Sequence, residues 1–128
     1  MAVVEQTTGS NDADAAPEAT ILTGDDYMAR VQSKDVAARI DAASRVDAPL
    51  GALLAFAQDS KVEVRIAVAS NPGIGRTTTV MAHLADDKSP EVVRALVDNP
   101  TVTRDVIEKV AVSGPKTVRP HAQERLDA

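Results

Sequence analysis

An all-α fold of short, repeated helices is what this 128-residue sequence predicts, and three observations carry it. First, a phrase recurs: Val64-Arg-Ile-Ala-Val-Ala-Ser-Asn-Pro72 returns as Val92-Val-Arg-Ala-Leu-Val-Asp-Asn-Pro100. Val64, Val68, Asn71 and Pro72 find their counterparts 28 positions on, as Val92, Leu96, Asn99 and Pro100. Second, large aliphatics between the copies fall at helical spacing, and clusters of Asp, Ser, Pro and Gly separate them. Third, the apolar residues are mostly Ala and Val and aromatics are 2% of the chain, so helices can approach closely while each side chain buries little area. A repeat of roughly 20 to 50 residues is the mark of a stacked solenoid, in which each unit covers its neighbour's apolar face. The expected architecture is a small α-solenoid of about two and a half to three units.

The elements follow in order. Residues 1–24 mix Ser, Thr, Asn, Asp, Gly and Ala with acids and no sustained period, and are expected to be a disordered acidic tail. Asp25 and Asp26 put carboxylates at the positive end of a first short helix carrying Tyr27, Met28 and Val31, which would cap the stack. Ser33 is the expected N-cap of a helix through Ser44, with Val36 and Ile40 standing 28 residues before Val64 and Val68. In that degenerate copy Ala43-Ser44 occupy the Asn-Pro positions. Pro49 opens a helix with Leu50, Leu53, Leu54 and Ala57 at helical spacing. Ser60 and Glu63 form the pattern of a capping box before Val62 to Ser70.

Asn71-Pro72 and Asn99-Pro100 then read as helix terminators, because proline disfavours the α conformation in the residue before it and Asn tolerates non-helical backbone. Gly73-Ile-Gly75 makes a turn, and the helix from Arg76 to Asp86 starts through Thr77-Thr78-Thr79, poor helix formers that leave its beginning either 3₁₀ or frayed. Ser89, Pro90 and Glu91 open the third copy, and a helix from Arg104 to Val112 follows, stopped by Ser113-Gly114-Pro115. The helical repeat domain is thus placed at 25–113, and 114–128 is read as a C-terminal tail with room for one short helix.

Composition excludes several kinds of chemistry. Without cysteine there are no disulfides, thiolate metal sites or cysteine nucleophiles. The beginning has neither a basic nor an apolar signal region, and no apolar run reaches the roughly 18 residues of a membrane span, so the protein is expected to be soluble and cytoplasmic, with no membrane partner. The net charge of −5 is concentrated in residues 1–30, where six acids face Arg30 alone; the remaining residues balance 13 acids against 13 bases. A neutral body with few aromatics is poorly equipped for nucleic acid. The richness in Ala, Val, Asp and Arg points to a GC-rich bacterial or phage genome.

The repeated pattern of Val, then Val or Leu four on, then Asn-Pro three later, with an Asp-punctuated helix between copies, resembles the leucine-rich repeat variant family over residues 33–112. The resemblance implies a right-handed superhelix in which short α-helices alternate with 3₁₀ or further α-helices, and a role as an interaction surface. Some members of that family carry an Fe–S cluster on cysteines, which this chain lacks.

No catalytic, cofactor-binding or metal-binding residues emerge. His83 and His121 stand alone, adjacent Asp86 and Asp87 point apart on a helix, and Gly73-Ile-Gly75-Arg76 lacks the Gly-Lys-Ser/Thr core of a phosphate loop. The candidate partner-binding residues are Arg65, Arg76, Arg94 and Arg104: Arg76 and Arg104 are related by the 28-residue period, and Arg65 and Arg94 lie one helix earlier. The expected function is therefore a non-catalytic protein–protein interaction module with no cofactor, its partner another protein; the alternative is a nucleic-acid-associated accessory factor using this arginine ridge. So few units also lead us to expect self-association or end-on docking to a partner.

Overall fold

The computed structural model describes residues 21–128, and among these it is all-helical, with no strand. The expected acidic tail falls mostly on residues 1–20, outside the described part. Eight α-helices follow one another: α1 (Gly24–Val31), α2 (Val36–Ala43), α3 (Leu50–Ala57), α4 (Val62–Ala69), α5 (Thr78–Ala85), α6 (Pro90–Asp98), α7 (Arg104–Ser113) and α8 (Arg119–Asp127). A 3₁₀ segment, Pro72–Arg76, lies between α4 and α5. Each odd-numbered helix pairs with the next even-numbered one. The odd helices α1, α3, α5 and α7 also pack in succession, and so do α2, α4, α6 and α8. The result is two facing rows of helices with the core between them: Tyr27, Leu53, Phe56, Met81 and Leu84 enter from the odd row, and Val64, Val68, Val92, Val93 and Leu96 from the even row.

Short polar side chains fix the helix starts. Thr23 caps α1, its hydroxyl accepting from the Asp26 N–H while the Asp26 carboxylate accepts from the Thr23 N–H, and this backbone bond holds the Asp26 carboxyl below its ordinary value. The cap of α2 is Asp35, two residues later than expected; Ser33 instead accepts from the Asp35 N–H. Nor does the Ser60–Glu63 capping box form. Asp59 accepts from the Lys61 N–H, and Lys61 takes the N-cap position of α4.

In the C-terminal region the one short helix for which the sequence left room forms as α8, and it packs on α6 and α7, burying Ala122 and, just before it, Val118. The packed unit therefore runs past residue 113. α8 is polar along most of its length, so its recruitment rests on these few apolar anchors and on the side-chain bonds described below.

The register of the first copy is corrected as well. α4 and α6 keep the 28-residue offset, but α2 corresponds to α4 at an offset of 26, so Val36 and Ile40 match Val62 and Ile66 rather than Val64 and Val68. The positions equivalent to Asn71-Pro72 are then Arg45-Val46. The cause is the connection: α4 reaches α5 through the 3₁₀ segment, whereas α2 reaches α3 through a turn two residues shorter. That segment lies close against the earlier turn; a Cβ added to Gly73 would come within 2.4 Å of the Val46 carbonyl oxygen, so only glycine fits.

Tyr27 is 2% exposed and donates its hydroxyl to Asp47 at 3.0 Å. Burial first, and then this bond to a carboxylate, push its pKa from 10.0 up to about 12. A folded pKa above the unfolded one means that the stabilisation is complete below pH 10 and is lost as pH rises through about 12. As the chain has one tyrosine and no tryptophan, tyrosinate absorbance follows this group alone. We expect its midpoint near 12 in the folded protein and its return to the ordinary value in denaturant; a midpoint near 10 in the folded protein contradicts the buried hydroxyl.

Candidate interaction surface

Two sets of polar side chains join successive helix pairs, and they determine which surfaces remain free. The first runs along the C-terminal ends of the even helices, where the last carbonyls lack intrahelical partners. Asn71 is 2% exposed and donates from Nδ2 to the carbonyls of Ala43 (2.9 Å) and Arg45 (2.8 Å), at the end of α2. Asn99, 3% exposed, donates in the same way to Ala69 and Asn71 at 2.9 Å each, at the end of α4. Arg125 of α8 takes the next place, donating to the carbonyls of Val97 and Asn99 at the end of α6.

The carbonyl sides are used too. Asn71 Oδ1 accepts from the Gly73 N–H at 2.7 Å, and Asn99 Oδ1 accepts from the N–H and hydroxyl of Thr101. Both donors and both acceptor sites of Asn99 are therefore occupied. These asparagines do more than end a helix: each caps the helix of the preceding pair. The occupied positions 45, 71, 99 and 125 are separated by 26, 28 and 26 residues.

The second set runs along the opposite end of the even helices. Arg39 grips both carboxylate oxygens of Asp59 (Nε 2.7 Å, Nη2 3.2 Å) and donates to the Ser33 carbonyl. Arg65 repeats this on Asp87 (Nε 2.8 Å, Nη2 3.3 Å) and donates to the Asp59 carbonyl. Asp87 in turn accepts from the Ser89 N–H, as Asp59 does from that of Lys61. Both pairs are largely buried, with side chains 7 to 15% exposed. Planar, forked guanidinium geometry suits such two-point contacts.

The four arginines singled out by sequence consequently have different surroundings. Arg65 is held by Asp87. Arg76 donates to the carbonyls of Gly73 and Ala48 at 2.9 and 2.7 Å, fastening the 3₁₀ segment to the α2–α3 turn. Arg104, at the start of α7, stands in solvent beside Glu108. Arg94 is exposed on α6. Arg94 is not the 28-residue counterpart of Arg65; that position is Val93, which is buried.

A surface hollow of about 720 Å³ lies around the Arg65–Asp87 pair and includes Asp59, Ser60, His83, Asp86 and Lys88. Asp59 and Asp87 commit their oxygens to arginine and backbone, and Asp86 receives Lys109 at 2.9 Å. His121 joins α8 to Asp98 of α6, away from this hollow. Among the described residues no group of His, Asp and Glu is arranged to hold a metal ion, and no helix is long and apolar enough to cross a membrane.

One broad face lies free of these internal bonds: the outward side of α2, α4 and α6. Ile40, Ile66, Ala67 and Ala95 are half-buried there, forming an apolar strip. Glu63, Glu91 and Asp98 are exposed around it, as is Arg94. Ser89 donates to Glu91, which holds the Glu91 carboxyl below its ordinary value and keeps it anionic. The strip was recognisable only after the offset of 26 aligned Ile40 with Ile66. No protein-family model, curated protein or solved structure matches the chain.

Proposed function

We propose that the chain is a right-handed α-solenoid of the leucine-rich repeat variant kind, with four helix-pair units, and that it works as a non-catalytic protein-interaction module. The observation that supports this best is the apolar strip with an acidic margin, formed by Ile40 and Ile66 at equivalent positions of α2 and α4 and by Ala67 and Ala95 at equivalent positions of α4 and α6. Half-buried aliphatics ringed by charge are the composition of a recognition surface with a dry centre and a polar rim. On this reading the internal Asn and Arg–Asp bonds set the spacing of the helices, and the strip reads a partner protein. Arg94 is the one of the four arginines that stands on this face. A cytoplasmic setting goes with the proposal.

The test compares what the full chain and an Ile66→Glu/Arg94→Glu variant retain from extract of the native host, with far-UV circular dichroism of both. A protein held by the wild type and weakened about 30-fold or more by the double change supports the reading. Identical retention by both proteins contradicts it. So does tight DNA binding that falls steeply with salt, the signature of phosphate contacts.

A further inference from the structure

We propose that two copies of the chain associate through the odd-numbered row, α3 of each copy seating in the groove between α5 and α7 of the other. The surface lies on the opposite side of the molecule from the apolar strip, so this inference stands or falls independently of the proposed function.

α3 is apolar around its whole circumference. Ala52, Leu53, Phe56 and Ala57 face the core, yet Leu50 is 45% exposed on the other side, next to exposed Gly51 and half-buried Leu54 and Ala55. Met28 of α1, the helix packed beside it, is 52% exposed. A helix without a polar face is normally covered on both sides.

The neighbouring helix shows what would cover it. α5 follows α3 at an offset of 28, so Thr78 and Ala82 stand where α3 has Leu50 and Leu54. With these smaller side chains a groove of about 490 Å³ opens between α5 and α7, lined by Thr78, Thr79, Ala82 and Val106, with Asp105 and Lys109 at its edge. One molecule thus carries both the projecting aliphatics and the place short of them.

A two-fold axis parallel to α3 and α5 makes that contact twice, the self-complementary arrangement of a symmetric dimer. Charge favours a second copy here over the other broad face. The outward residues of α3 and α5 include no Asp, Glu, Lys or Arg, whereas Glu63, Glu91 and Asp98 would confront their own copies across the even row.

Sedimentation equilibrium of the full chain from about 1 to 300 µM, a range that suits a small interface, tests the proposal. The wild type should move from monomer to dimer over this range. Ala82→Glu and Leu50→Glu, both at exposed positions, should each raise the dissociation constant about 100-fold while helicity is kept. Ala82→Leu fills the groove from within; it should also prevent dimerisation, without lowering the melting temperature. A wild type that is monomeric throughout, or a dimer indifferent to these three substitutions, overturns the inference.

Discussion

Replacing Asn99 with aspartate, a change of almost no volume, is expected to unfold the domain at neutral pH. The Asn99 amide nitrogen stands 2.9 Å from two carbonyl oxygens, those of Ala69 and Asn71, at a site 3% exposed. Aspartate would place an anion where the donors were and leave both carbonyls without them. An uncompensated buried charge costs about 3–5 kcal/mol, against a total of roughly 5–15 kcal/mol for an ordinary domain and less for a small core of Ala and Val. Asn99→Ala loses the same bonds without adding charge, and should cost about 2–4 kcal/mol by urea denaturation. A loss of under about 1 kcal/mol for the aspartate variant would show that the amide is not an internal clamp.

The second large effect is expected at the aliphatics of the repeated phrase. Val68 and Leu96 are both 0% exposed, in α4 and α6. Val68→Asp or Leu96→Asp forces a carboxylate into the space between the two rows, where no basic partner stands ready, and the far-UV helical signal should collapse. Arg94→Glu, on the exposed side of α6, should leave that signal intact. Retained helicity and an unchanged melting temperature in the Leu96 variant would mean that α6 does not present this side to the core.

The contrast between those two predictions marks what was legible in the sequence. Buried aliphatics recur with a period, so Val64, Val68, Val92 and Leu96 could be identified as core from the phrase alone. Helix ends at Pro72 and Pro100 were readable because proline acts on its immediate neighbour. The 3₁₀ segment was not: it runs over Pro72–Arg76, where a turn was expected, and the threonines expected to begin the next helix as 3₁₀ or frayed instead cap and open α5 as regular α-helix.

Other features depend on residues 20 to 30 positions apart. Asn71 and Asn99 have the composition of ordinary helix terminators; that their amides cap the preceding even helix is visible only when the rows are assembled. Arg45 and Arg125 hold the equivalent end positions with a different side chain, so identity could not reveal them. The shift of the first unit from 28 to 26 was hidden because Val36 and Ile40 fit either register by hydrophobicity. A signal was present: Arg39 precedes Asp59 by 20 residues and Arg65 precedes Asp87 by 22, and pairing these would have fixed the register.

For the interaction surface, sequence reading followed exposed charge at a single period and gathered four arginines. In the folded chain Arg65 and Arg76 direct their guanidinium groups to internal acceptors, because each lies where helix ends and turns leave carboxylates and carbonyls to be satisfied. The apolar strip is not evident in the sequence because Ile40 and Ile66 look like core residues. Their half-exposed position comes from helix packing, which periodicity does not resolve.

If the two Asn-Pro asparagines lock one helix pair to the next through their side chains, hydrogen exchange at the Asn71 and Asn99 carboxamide groups, followed by NMR, reads that lock. Both amides donate both hydrogens to buried carbonyls, so their exchange should be slowed to the timescale of global unfolding, unlike that of exposed Gln123. Exchange at both asparagines as fast as at Gln123, under conditions where the helical backbone stays protected, would show that these side chains do not hold the helix pairs together.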